Sequence, residues 1–96
     1  MRSSNEESIK DVIEQLIRTY NLGDKLNQVK LLHSWEQIMG EAISKRTDNI
    51  VLKDGVLSLF LNSAPLKEEL IYGKEKIKDL LNTELGGLFI KEVVIR

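Results

Sequence analysis

Apolar residues recur every three or four positions through the first half of the chain, which is the period of an α-helix. Residues 5–20 predict an amphipathic first helix that ends at the Asn21-Leu22-Gly23 segment. A second helix is predicted over residues 24–45. Gly40 lies inside it, and the pattern leaves open whether this helix kinks, breaks near residue 40 or continues. The apolar positions are Ile9, Val12, Ile13, Leu16, Ile17 and Tyr20 in the first helix, and Leu26, Val29, Leu32, Trp35, Ile38, Met39, Ala42 and Ile43 in the second.

Residues 47–62 change to a period of two, which predicts a β-hairpin. Asp54-Gly55 is a two-residue loop typical of a type I′ turn. This turn sets a register that pairs Lys53 with Val56, Leu52 with Leu57, and Ile50 with Leu59. One face of the hairpin then carries five aliphatic side chains and is predicted to face the core: Ile50, Leu52, Leu57, Leu59 and Leu61. The opposite face carries Val51, Val56 and Phe60 among polar residues.

A third helix is predicted over residues 65–85, with Pro65 in its first turn, and a last strand over residues 88–95. Gly86-Gly87 separates the two, because glycine tolerates the backbone conformation that ends a helix. The predicted fold is one α+β domain spanning residues 1–96, in the order α-α-β-β-α-β, with helices packed on one face of three strands. Its predicted core includes Trp35, Ile50, Leu52, Leu57, Leu59, Leu61 and Leu70.

Composition narrows the class of protein without pointing to a reaction. The 42% hydrophobic and 30% charged residues are typical of a folded globular domain. No apolar run approaches the roughly 18–20 residues that a membrane span needs, so no membrane partner is expected. The absence of cysteine suits a cytoplasmic location. Fourteen basic and fifteen acidic residues give a net charge of −1, which is not the charge typical of a strong nucleic-acid binder.

Reactive side chains do not form a catalytic pattern. His33 and Ser34 are adjacent on a predicted helix and point about 100° apart, so they cannot act as a base and its nucleophile. Glu68 and Glu69 lie on a charged helix surface, where solvated carboxylates are the expected state. With one histidine and no cysteine, no metal site is predicted. The chain is therefore predicted not to be an enzyme and to need no cofactor.

Two candidate binding surfaces remain. Lys45 and Arg46 precede the hairpin and Lys53 lies at its tip, so these three are candidate contacts for nucleic-acid phosphates, although dispersed solubilising charge explains them as well. Val51, Val56 and Phe60 share the outward hairpin face and form a candidate protein interface. The first helix, a second copy of the chain or another protein could cover that face.

A spread-out set of residues between about Leu26 and Arg96 resembles the pattern of the bacterial DciA family. The set consists of Trp35, Gly40, Ile43, Thr47, Asp54-Gly55, Leu57, Leu59, Ser63, Glu69-Leu70, Leu81-Asn82, Leu85-Gly86 and Ile95-Arg96. The resemblance implies a two-layer KH-like domain, in the short form without a tail. It also implies a role in DNA replication, as an adaptor that binds the replicative DNA helicase and assists its loading.

Three departures from the family pattern qualify what the resemblance implies. Leu66 stands where the family often has a second tryptophan, and the chain ends at Arg96 without the basic tail of longer members. The Gly-x-x-Gly loop with which KH domains clamp nucleic acid is absent. The resemblance therefore favours binding to the helicase over autonomous DNA binding. The alternatives are a module that binds RNA or single-stranded DNA weakly, and a homodimeric scaffold.

Overall fold

The computed structural model describes residues 2–20 and 22–96 of the chain. Its elements are α1 (Arg2–Thr19), α2 (Gly23–Met39), α3 (Glu41–Lys45), β1 (Thr47–Lys53), β2 (Val56–Leu61), α4 (Ala64–Tyr72), α5 (Lys74–Leu85) and β3 (Glu92–Ile95). The strands form one sheet in the order β1-β2-β3, with β1 and β2 antiparallel and β2 and β3 parallel. The predicted α+β class is confirmed, and the order differs from the prediction only in that two predicted helices are each divided in two.

The β1–β2 hairpin has the predicted register. Asp54 and Gly55 have φ values of 51° and 80°, and two consecutive positive φ angles are the requirement of a type I′ turn. All three predicted pairs around this turn are confirmed. The five aliphatic residues assigned to the inner face are all buried, and Leu57 and Leu59 are completely inaccessible to solvent. The hairpin therefore fixes which side of the sheet the helices cover.

The core lies between this inner sheet face and the helices α2 to α5. Trp35 and Leu70 are buried there, and Leu31 and Leu81 join them. The indole N–H of Trp35 donates a hydrogen bond of 3.1 Å to the hydroxyl of Thr47, and that hydroxyl donates one of 2.7 Å to the carbonyl of Ile43. One polar chain thus ties together α2, β1 and α3, and it satisfies the only polar atom of the tryptophan side chain.

Helix α2 buries only part of the predicted stripe: Trp35 is buried, and Ile38 and Met39 pack against the core. Its buried residues are Leu31 and Trp35, four positions apart, whereas Leu26, Val29 and Leu32 are each about half exposed. The predicted stripe advanced in steps of three, and such a row drifts around a helix that has 3.6 residues per turn. Apolar side chains therefore lie on two sides of α2, and only one side has a partner in the chain. The helix ends at Gly40, where φ is 89° and α3 begins in a new direction.

The prediction of one continuous helix over residues 65–85 is wrong. The segment divides at Gly73 into α4 and α5. The N–H of Gly73 donates to the carbonyl of Leu70, three residues earlier, and this bond tightens the last turn of α4 and ends the helix. Pro65 lies in the first turn of α4 as predicted, behind Ser63, whose hydroxyl accepts from the N–H of Leu66. Leu80 is about half exposed on α5, whereas Ile77 and Leu81 of the same helix are buried.

Residues 88–91, the first half of the last predicted strand, do not form a strand. They follow a turn and are held by the buried side-chain amide of Asn82. Gly86 ends α5 in the left-handed conformation, and the N–H of Gly87 donates to the carbonyl of Asn82. The side chain of Asn82 then accepts from the N–H of Ile90 and donates to its carbonyl, at 2.8 and 2.9 Å. These two bonds hold residues 86–91 in an irregular path. Strand β3 therefore starts at Glu92 rather than at residue 88.

Helix α1 departs most from the predicted packing. No other element packs extensively against its described side chains, and five apolar residues of its stripe are exposed. The structure measures 58 × 23 × 20 Å, and α1 is a helix of 18 residues, about 27 Å long. The expectation that this helix packs on the sheet is wrong. None of the described helices has both the length and the hydropathy that crossing a bilayer requires.

Candidate partner-binding surfaces

No helix in residues 2–20 and 22–96 packs extensively on the outer face of the sheet. We call it the open sheet face, and it consists of Asn49, Val51 and Lys53 on β1, Val56, Ser58 and Phe60 on β2, and Glu92, Val94 and Arg96 on or beside β3. Each of these side chains is exposed or half-buried, whereas the alternate residues of the same strands line the core. Helix α1 does not cover this face, so one of the three predicted covers is excluded.

The register places the residues of the open sheet face in cross-strand rows. One row joins Val51, Ser58 and Val94 across all three strands. The next row joins Lys53, Val56 and Glu92, with a positive and a negative charge at opposite edges of the sheet. The middle of the face is therefore small and mostly apolar, and its edges are charged. This is the usual arrangement of a protein-binding patch, in which an apolar centre has a polar rim.

Phe60 is the only aromatic residue on the open sheet face. The guanidinium carbon of Arg96 lies 5.9 Å from the centre of its ring, within the range of a cation–π contact. The N–H of Arg96 also donates to the carbonyl of Leu59, which extends the pairing of β3 by one residue. The ring is thus half-buried under a cationic side chain at one end of the sheet, a position from which both groups can contact a ligand.

The free edge of β1 is closed by side chains. Its outward N–H groups at Ile50, Leu52 and Asp54 donate to the side-chain oxygens of Asn49, Gln28 and Asp24, at 2.9, 2.9 and 2.7 Å. Asp24 and Gln28 are one helical turn apart on α2, so they reach the edge two strand residues apart. Because these three donors are occupied, a further strand would have to displace the side chains of Asn49, Gln28 and Asp24 to pair at this edge. We therefore expect a partner to contact β1 through side chains on the open face.

The three predicted phosphate contacts do not form one patch. Arg46 immediately precedes β1 and Lys53 ends it, so about 20 Å of strand separates them. Lys45 makes an ion pair of 2.9 Å with Glu41, one turn earlier on α3, and this carboxylate neutralises it locally. At the hairpin tip, the N–H of Lys91 donates to the carbonyl of Gly55, which is two residues after Lys53. Any phosphate site would therefore use either end of the sheet, not both.

No catalytic arrangement arises among the described residues. His33 is exposed on α2, and no group of three histidine, aspartate or glutamate side chains in the described ranges is placed to hold a metal ion. Lys78 and Glu75 form an ion pair of 2.8 Å on α5, and this hydrogen bond raises the pKa of Lys78. Gly73 lies at the α4–α5 junction rather than inside a helix, but the segment still lacks the second glycine of a KH loop.

Sequence reasoning missed three members of the open sheet face, namely Glu92, Val94 and Arg96. Val94 completes the central apolar row, and Arg96 covers Phe60. The signal was available, because residues 92–96 alternate and Val93 and Ile95 pair with the inward-facing Leu57 and Leu59. Assigning a strand from residue 88 hid this alternation, since Leu88 and Phe89 do not belong to it.

Comparison with known proteins gives one match. The sequence pattern of the family described as Dna[CI] antecedent, DciA, matches residues 8–95, which is nearly the whole chain and includes α1 from Ser8 onward. No curated protein and no solved structure matches. A match of this extent covers the hairpin, both helical divisions and every residue of the open sheet face except Arg96. The chain therefore belongs to the DciA family.

Proposed function

We propose that this protein is a non-enzymatic adaptor that binds the replicative DNA helicase and assists its loading during DNA replication. The observation that carries this proposal is the family match over residues 8–95, since the family is one of helicase-loading adaptors. The net charge of −1 supports a protein partner as the main ligand, because strong nucleic-acid binding rests on the neutralisation of several phosphates.

The open sheet face is the proposed docking surface for the helicase. Val51, Val56 and Val94 give it an apolar centre, and Phe60 supplies an aromatic side chain of the type that contributes most to binding energy at interfaces. Lys53 and Glu92 at the edges would select a partner with opposite charges in matching positions. Because the β1 edge is closed, docking would use side chains rather than addition of a strand there.

Binding of the purified helicase from the same organism tests this proposal directly. The helicase is immobilised and titrated with wild-type protein, with Phe60→Ser and with Tyr72→Ser. Tyr72 is the matched control, because it is an aromatic residue that is 88% exposed at the end of α4 and lies outside the open sheet face. We expect Phe60→Ser to weaken binding at least about tenfold and Tyr72→Ser to leave it unchanged.

Two results would contradict the proposal at different levels. A folded wild-type protein that does not bind the helicase at micromolar concentration would remove the adaptor function. Normal binding by Phe60→Ser would remove only the docking surface. A helicase-dependent assay of forked-duplex unwinding then tests loading, because an adaptor should shorten the lag before unwinding and should hydrolyse no nucleotide by itself.

One observation favours a second function, weak binding of single-stranded nucleic acid. An aromatic ring beside a cationic side chain on an uncovered sheet, as at Phe60 and Arg96, is a combination on which bases stack. Arg46 lies at the same end of the sheet and could contact a phosphate. With about two phosphates neutralised, affinity for an oligonucleotide should fall only about sevenfold between 50 and 200 mM salt. No binding of oligo-dT or oligo-U at 50 mM salt would exclude this function.

A further inference from the structure

Two exposed apolar stripes lie on consecutive helices of this chain. The α1 stripe consists of Ile9, Val12, Ile13, Leu16 and Tyr20, whose exposed fractions range from 46% to 67%. The α2 stripe consists of Leu26, Val29 and Leu32, with exposed fractions between 43% and 52%. Single exposed apolar residues are common, but a continuous row along a helix with an opposite polar side is typical of a helix that packs on something.

The charges beside both stripes argue against a strongly charged partner. The described part of α1 carries Lys10, Asp11, Glu14 and Arg18, which sum to zero. Helix α2 also carries two basic and two acidic residues, namely Asp24, Lys25, Lys30 and Glu36. A helix that lies on an anionic membrane needs a polar side rich in lysine and arginine, and neither helix has one. Because neither helix carries a large net charge, the two can pack closely without strong repulsion between like charges.

We propose that the α1 stripe of one protein packs on the α2 stripe of a second copy, and that the second copy returns the same contact. A two-fold dimer is the simplest way to cover both stripes, because in such an interface a contact between surfaces i and j is always accompanied by one between j and i. One stripe of an 18-residue helix is small for a stable interface. The reciprocal contact uses the apolar residues of both stripes on each protomer, and it therefore buries twice the apolar surface of a single contact.

The isolation of α1 within one chain supports this arrangement. A single helix of this length is only marginally stable in water without tertiary contacts. Among the described residues, α1 makes no extensive contact with any element, its own α2 included. A second copy can supply the missing surface without any change in the sheet or the core. The open sheet face stays free in this dimer, so the helicase-binding proposal neither requires it nor is required by it.

Sedimentation equilibrium of the full chain, with no helicase present, tests the dimer. We expect dimers at micromolar concentration, and at least a tenfold larger dissociation constant for Ile13→Glu and for Val29→Glu. Gln15→Glu is the matched control, because it adds the same charge to α1 outside the stripe, and it should leave the dissociation constant unchanged. Circular dichroism should show less helix for Ile13→Glu than for Gln15→Glu, because α1 loses its only extensive contact.

Cross-linking then tests the pairing of α1 with α2. The chain has no cysteine, so Ile13→Cys and Val29→Cys each introduce a single thiol. A mixture of the two variants treated with a short bismaleimide should give more cross-linked dimer than either variant alone. A concentration-independent monomer would overturn the proposal, as would a dimer that Phe60→Ser weakens and Ile13→Glu does not. Cross-linking of Ile13→Cys alone with equal yield would overturn the pairing.

Discussion

Two apolar helix faces in this protein have the same sequence pattern and opposite surroundings. The buried face of α2, with Leu31 and Trp35, lies on the inner side of the hairpin and is tied to β1 by the Trp35–Thr47 hydrogen bond. The α1 stripe has as many apolar residues but no extensive contact in the chain. The comparison shows that periodicity specifies which side of a helix seeks a partner, whereas the partner itself is specified by the rest of the fold.

The largest effect should come from the centre of the buried region. Leu57 is fully inaccessible on β2, so Leu57→Ala should lower the free energy of unfolding by about 2–5 kcal/mol through lost burial and the cavity left behind. Urea unfolding followed by circular dichroism measures it. Leu88→Ala is the matched control: Leu88 is 90% exposed, and its truncation should change stability by less than about 0.5 kcal/mol. Equal losses in the two variants would contradict this account of the core.

A smaller loss of stability is expected when the buried side-chain amide of Asn82, which holds the segment before β3, is removed. Asn82→Ala removes both hydrogen bonds to Ile90 and leaves a buried N–H and a buried carbonyl without these partners. An unsatisfied buried polar group costs about 1–3 kcal/mol, and we expect a loss within this range. Thr83→Ala in the same helix is the control, because Thr83 is exposed and bonds only to its own helix. If Asn82→Ala is as stable as Thr83→Ala, the amide does not hold this segment.

The hydrogen bonds at the closed edge of β1 should contribute still less to the free energy of unfolding. Gln28→Ala leaves the N–H of Leu52 without its side-chain acceptor, and water can partly replace it at the strand edge. The expected loss is therefore about 1 kcal/mol. Hydrogen exchange of the Leu52 amide should accelerate in this variant and stay unchanged in Gln37→Ala, an exposed glutamine of the same helix. An unchanged exchange rate in Gln28→Ala would mean that the bond is not formed in solution.

The smallest effect on the free energy of unfolding is expected for a substitution in the α1 stripe. Ile9→Ser should change the stability of the monomer by less than about 0.5 kcal/mol, because Ile9 is 62% exposed and packs on no core residue. The measurement is denaturant unfolding at low protein concentration, where a dimer would be dissociated. A loss comparable with that of Leu57→Ala would show that α1 packs against its own domain in solution.

In the hairpin and the open sheet face, the local sequence pattern was enough to predict the strand register and the orientation of the side chains. Asp54-Gly55 favours one turn type, and this turn fixes the register of every pair in both strands. Because side chains alternate with a period of two, the inner and outer residues follow at once. The candidate interface at Val51, Val56 and Phe60 therefore has the predicted orientation. Its completion by Val94 and Arg96 depended on where β3 starts, and the Asn82 side chain decides that through a contact eight residues away.

In the helical regions, the local sequence pattern was not enough to predict which helix face is buried or where a helix ends. Apolar residues in α2 fit two helix faces, and hydrophobicity alone does not choose between them. The choice follows from groups that the pattern ignores: Asp24 and Gln28 bond the β1 edge, and Leu31 and Trp35 follow on the same side. Gly73 similarly divides the segment with one continuous apolar pattern into two helices. At that point the N–H of Gly73 bonds to the carbonyl three residues earlier instead of four, which ends α4.

The sequence by itself determined the elements, the type I′ turn, the strand register and the two faces of the hairpin, since each depends on residues close together along the chain. It also carried the family pattern. Only the tertiary structure decided which side of α2 is buried, where β3 starts, that the described part of α1 makes no extensive contact, and that the outer sheet face is uncovered. These outcomes depend on contacts between distant segments, and an apolar side chain has the same free-energy gain from any partner that removes it from water.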